Sequence, residues 1–222
     1  MMESTTRRIA YITGFVGAII ISLGSLLAGW KYQDADGGAF SIFNHFVSEL
    51  GHTVNSQWAL MFNGALVIGS LCLGIHLYCL ALNFEGTFRQ RLRLIALVGS
   101  LFGVLVGFFP MNVSLIHYTA AAIFFLALTL YIGAFTVYLW RTPENPFHRA
   151  LLVVGIAMLV SVVIFMINGT VSFLQGNLLI MQAASERPGF TFTTTSEWVA
   201  LAALIVWVLL TSGHLLNAKN LS

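Results

Sequence analysis

The sequence predicts an all-α polytopic membrane protein. Six transmembrane helices form a bundle, both termini lie on the cytoplasmic side, and short amphipathic helices decorate the outer side. Three observations predict this. Only 8% of the 222 residues are charged and 58% are hydrophobic, whereas a soluble domain carries about 25% charged residues. Six continuous apolar stretches approach or exceed the roughly 20 residues that cross about 30 Å of hydrocarbon. Finally, Lys and Arg fall almost wholly on one side of the topology that those stretches imply.

The stretches are 9–30, 58–82, 94–109, 116–140, 151–169 and 197–216, within one membrane domain covering 1–222. Hydrocarbon offers no partner to a backbone N–H or C=O, so a spanning segment must satisfy its own. The alternation of a barrel strand is absent, which leaves helices. The first stretch follows Arg7 and Arg8 but is too long for a signal peptide and is followed by no small-x-small cleavage site, so it is read as retained.

The first outer loop covers 31–57. A turn is expected from Asp34 to Gly38. Over 41–50, apolar Ile42, Phe43, Phe46, Val47 and Leu50 interleave with Asn44, His45, Ser48 and Glu49 at near-helical spacing. This predicts a short amphipathic helix in the outer interface, stopped by Gly51. In the second span Cys72 and Cys79 share a face about 10 Å apart along the axis, too far to bridge.

The third span is short and needs flanking residues near Arg93 or Pro110. It carries Gly99-x-x-x-Gly103-x-x-x-Gly107, a stripe that lets helices approach closely. The stripe serves packing within the chain or the seam of a homodimer or partner. The connection 110–115 is tight. The last outer loop opens with amphipathic 171–184, which continues the fifth helix or lies flat on the membrane. Glu186-Arg187-Pro188-Gly189 then forms a turn and Thr191 to Thr195 an extended run. Ser196 N-caps the sixth helix, with Glu197 at its positive end.

Arg7, Arg8, Arg89, Arg91, Arg93, Arg141, Arg149 and Lys219 share one side. Lys31 and Arg187 are the remaining two of the ten basic residues. That asymmetry places both termini inside. No basic stripe for a nucleic acid exists.

Ionisable groups at membrane depth are costly, so their clustering is informative. The densest cluster is Asn44, His45, Ser48, Glu49 and His52. On a helix His45, Glu49 and His52 fall at i, i+4 and i+7, one face that could hold a metal, with His117 as a further ligand. The alternative is a wet face of an outer helix, with Ser48 and Glu49 capping helix ends or clamping the loop against the Pro110–His117 corner. Deeper, His76 and His214 could ligate haem or be satisfied structural histidines. No cofactor is demanded by either set. Asn63 and Asn168 could each bond a neighbouring helix. Asn112-Val-Ser114 and Asn168-Gly-Thr170 match the glycosylation pattern but lie close to the membrane. Nucleotide, hydrolase-elbow and zincin motifs are absent. A Ser48, His117 and Glu49 hydrolase is conceivable on paper only.

Val47-Ser48-Glu49-Leu50-Gly51 after the first span, Pro110 with His117 at the next outer corner, and Glu186-Arg187 before the sixth span together resemble a prokaryotic six-helix family, domain of unknown function 998. Ser48-Glu49-x-Gly51 is also similar to a motif of the eukaryotic FRAG/DRAM/Sfk group, linked to lipid remodelling and autophagy. The resemblance implies six helices in a prokaryotic cytoplasmic membrane and an outer polar site of Ser48, Glu49, Gly51, Pro110 and His117, and assigns no reaction. His45 and His52 are not part of it.

The expected function is a membrane protein, leaning non-enzymatic, that binds a lipid, a small apolar ligand or a partner membrane protein through its outer half. A lipid-modifying hydrolase or transferase at the outer interface is the alternative. A small transporter or a haem redox protein are further ones, although the membrane's middle is nearly free of ionisable residues.

Overall fold

A computed structural model describes residues 3–33, 37–141, 146–174 and 186–217. It contains six long helices: α1 (Ser4–Trp30), α2 (Ala59–Leu80), α3 (Gly86–Phe108), α4 (Ser114–Arg141), α5 (Pro146–Leu174) and α6 (Phe192–Asn217). All six are long and apolar enough to cross a membrane. Short 3-10 turns cover Val47–Gly51 and Ala81–Asn83.

The helices extend past the apolar stretches because polar flanks join them. α3 is the clearest case. It begins at Gly86, whose φ of 59° suits glycine. Arg89, Arg91 and Arg93 therefore lie inside its first turns, and the Arg93 flank supplies the length that 94–109 lacked. α5 runs on to Leu174; the rest of the 171–184 segment lies outside the described residues, as do residues 34–36 of the expected Asp34–Gly38 turn and Lys219.

Consecutive helices pack in chain order and α6 returns onto α1, closing a ring. Tyr131, Trp207, Phe135 and Leu77 fill its interior. Trp207 meets Phe135 edge to face at 5.3 Å, and the Tyr131 hydroxyl donates to the Leu77 carbonyl at 2.6 Å. His76 Nδ1 donates to the Ala10 carbonyl at 2.8 Å and its Nε2 bonds Thr211 Oγ1 at 3.0 Å, and so ties α2 to α1 and α6.

The glycine stripe of α3 is buried inside this chain. A Cβ on Gly103 would strike Ser70, and one on Gly107 would lie 2.7 Å from both the Asn63 carbonyl and Val67. Gly99 faces Ala127 of α4. Of the two uses expected for the stripe, packing within the chain is the one seen: α2 and α4 lie over Gly99, Gly103 and Gly107.

Alternating helix direction gathers Arg7, Arg8, Arg89, Arg91, Arg93, Arg141 and Arg149 at one end. The opposite end is closed by residues 31–33 and 37–58, the corner at 109–113 and residues 186–191, which form a cap. Beneath it a second core of Ala28, Tyr32, Val47, Leu50 and Phe62 packs with Phe40, Trp58 and Trp198.

Two local expectations fail here. Residues 41–50 are not one amphipathic α-helix. The Asn44 and His45 N–H groups bond the Ser41 carbonyl, the chain becomes extended at Phe46, and a 3-10 turn follows. The Glu49 side chain takes the Phe46 N–H locally, bonds to distant residues hold the Asn44 carbonyl and the Val47 N–H, and together they win over helix continuation. Nor is Thr191 to Thr195 extended. α6 starts at Phe192, because the threonine hydroxyls bond locally: Thr194 Oγ1 donates to the Thr191 carbonyl at 3.1 Å and approaches Thr191 Oγ1 at 2.5 Å. Ser196 is accordingly one turn inside α6, donating to the Thr193 carbonyl at 2.9 Å, and is not its N-cap.

Candidate functional site

The cap is organised around Glu49. Its Oε1 accepts from the Phe46 N–H at 3.0 Å and from Arg187 Nη1 at 2.5 Å. Both side chains are buried. The same Nη1 donates to the Asn44 carbonyl at 2.8 Å, and the guanidinium lies 5.3 Å above the Phe46 ring. One cation thus fastens the segment before α6 to the first loop. A second carboxylate, Glu197 in the second turn of α6, is also buried and accepts the Val47 N–H at 2.9 Å. The two acids grip either side of the same turn.

Neutral bonds complete the clamp. The Phe43 carbonyl accepts from the Thr191 N–H at 2.8 Å and from Thr194 Oγ1 at 2.9 Å. Trp198 Nε1 donates to the His45 carbonyl at 3.0 Å. Asn63 Nδ2 donates to the Gly51 carbonyl at 3.0 Å, so Asn63 bonds the cap and not a neighbouring span. A Cβ on Gly51 would fall 2.2 Å from Asn63 Oδ1. Close approach, not a positive φ, is what requires glycine there.

The remaining residues singled out from the sequence fall as follows. Ser48 Oγ contacts Met111 Sδ at 3.6 Å, beside the half-buried Pro110. His117 is buried and its Nδ1 donates to the Phe109 carbonyl at 2.7 Å. The Ser48, His117 and Glu49 relay is therefore not assembled: each group is engaged elsewhere. Glu186 is exposed, unlike its neighbour Arg187. His45 sits among rings, 5.2 Å from Tyr32 and 4.9 Å from Phe40. His52 Nδ1 faces the Val54 and Asn55 N–H groups at 3.4 Å.

The shared helix face of His45, Glu49 and His52 does not exist, because the two histidines flank a 3-10 turn instead of riding one α-helix. Among the described residues no three His, Cys, Asp or Glu side chains, His117 included, come together as a metal would need. For haem, His76 would have to leave one of its two hydrogen bonds, while His214 is half-buried two turns of α6 beyond Trp207. Asn168 donates within α5 to the Ile164 carbonyl and not to a neighbouring helix. Asn112 of the first glycosylation triplet is exposed at the cap, where its Oδ1 accepts the Thr53 N–H at 3.4 Å.

Sequence reading missed the partners of Glu197, Trp198 and Thr194, and it missed Tyr118, which lies within electrostatic reach of both Glu49 and Arg187. Glu197 carried a signal, an acid at the start of an apolar run. Its bond to Val47 spans 150 residues, and no local pattern encodes that.

A ring of six apolar helices closed at one end by a buried polar clamp defines an integral membrane protein. Residues 15–214 match the family described as protein of unknown function (DUF998), and the chain belongs to that family. No curated protein and no solved structure matches it.

Proposed function

We propose that the protein is a non-enzymatic membrane component that holds a lipid or small apolar ligand at the rim of its cap, on the outer side of the membrane. The arrangement of phenylalanines carries this reading. Phe43 lies 6.3 Å from Phe190, which lies 5.1 Å from Phe192. The three rings remain 50%, 49% and 70% exposed. They come from two distant segments and are pinned together by the Thr191–Phe43 bond and the Glu49–Arg187 pair. Phe192 is the first residue of a spanning helix, so the rings sit where hydrocarbon meets headgroups, a depth at which aromatic residues are favoured. An exposed apolar patch at fixed geometry is a contact surface. The arginine-rich end supports placing the cap outside.

The polar groups beneath support binding over catalysis, since Glu49, Glu197, Ser48 and His117 each already have a protein partner. The test is photo-crosslinking with a diazirine-bearing phospholipid in nanodiscs. Label should concentrate on the segments around Phe43 and Phe190–Phe192 and fall when Phe43 and Phe192 are both replaced by Ser. Even labelling over all helices would remove the reading. Lipid turnover by the wild-type protein and not by Glu49→Gln would favour a lipid-modifying enzyme instead.

A further inference from the structure

The arginine-rich end carries a polar arrangement of its own. At the corner between α2 and α3, the Arg93 guanidinium lies 4.2 Å over the Tyr78 ring. Its Nε is shielded from solvent and has no hydrogen-bond partner. One turn earlier on the same face of α3, Arg89 Nε donates to the Phe84 carbonyl, which turns that side chain toward the same corner. Arg91, two residues from each, is exposed on another face of α3. The nearest acid along the chain, Glu85, immediately precedes α3 and pairs with none of the three. Among the described residues the one ion pair is Arg187–Glu49, at the opposite end of the bundle.

Three guanidinium groups thus stand at this end of the bundle with no anion paired to them among the described residues. A desolvated guanidinium N–H gains most from a charged oxygen acceptor, and the planar fork of Arg matches phosphate oxygens. Depth selects the source of that phosphate. Arg93 is two turns into α3, about 10 Å along the axis from its start. The apolar run of α3 begins directly after it, at Leu94, so in a bilayer Arg93 would stand at the headgroup boundary. Stacking on Tyr78 holds the guanidinium in place before any ligand arrives.

We propose that the α2–α3 corner, with Arg89 and Arg93 converging beside Tyr78, binds the headgroup phosphate of an anionic phospholipid. The full-length protein, purified in neutral detergent, is titrated with phosphatidylglycerol or phosphatidylcholine, and bound lipid is counted by native mass spectrometry. Phosphatidylglycerol should bind preferentially. Arg93→Gln should weaken it about tenfold, the equivalent of one charge-assisted hydrogen bond. Arg89→Gln should weaken it in the same direction. Arg149→Gln, at the same end but on α5, which packs on α4 and α6, should change it less than about twofold. If Arg93→Gln does not fold, as judged by melting in phosphatidylcholine, Arg93→Lys keeps the charge without the planar stack and should weaken binding about threefold. Unchanged binding in the Arg89 and Arg93 variants overturns the proposal. So does an equal loss in Arg149→Gln, which would mean a diffuse charge effect. Full displacement of phosphatidylglycerol by millimolar inorganic phosphate also overturns it, since the site would then serve a free anion.

Discussion

Glu49 accepts from a cation and from an amide, and a substitution separates the two. Glu49→Gln keeps an oxygen for the Phe46 N–H but leaves Arg187 buried with its charge uncompensated. Breaking one side of a buried pair costs about 3–5 kcal/mol, largely because the survivor is stranded. Arg187→Met should lose a similar amount by stranding Glu49. The double variant carries no stranded charge, so it should be more stable than the sum of the singles indicates. Denaturant unfolding in detergent measures all three, and strictly additive losses would mean that the pair does not hold the cap. Both residues were legible in the sequence as outer polar groups. Their pairing was not, because 138 residues separate them and a hydrophobicity pattern reports only neighbours along the chain.

Helices were the most legible elements, since hydrocarbon forces the backbone to satisfy itself and apolar length then gives the count. Their ends were less so, where arginines extend α3 and threonine hydroxyls start α6 early. The 41–50 segment was misread for a related reason: its helical spacing is real, but the clamp's bonds to α6 and Arg187 determine its backbone. The α3 glycines test how tightly these elements pack. Gly107→Ala would place a Cβ 2.7 Å from the Asn63 carbonyl, a backbone atom that cannot swing aside. α2 and α3 must then separate, at about 1–3 kcal/mol. Gly64→Ala meets nothing within 4 Å and should gain up to about 1 kcal/mol from helix propensity. Melting temperatures should move in opposite directions, and a drop of equal size in both would show that close approach is not what Gly107 provides.

At the scale of the whole molecule, one asymmetry governs both proposed lipid contacts. Every arginine but Arg187 occupies one end and the phenylalanine rim the other, so the direction of insertion decides which leaflet each meets. Arginine is retained on the cytoplasmic side during insertion, which predicts that Gln90 faces the cytoplasm and Val54 the exterior. Both are exposed, in α3's arginine-bearing turns and in the cap respectively. Cys72 is half-buried and Cys79 buried, and both are free, so replacing each with alanine gives a background in which single cysteines can be introduced. A membrane-impermeant maleimide applied to intact cells should then label Val54→Cys at once and Gln90→Cys only after permeabilisation. The reverse pattern would move the phenylalanine rim to the cytoplasmic leaflet while leaving the Glu49–Arg187 clamp intact, because a buried pair is indifferent to which way the bundle points. Labelling of both positions from outside would instead mean that the six helices do not all cross, and the bundle's alternation with it.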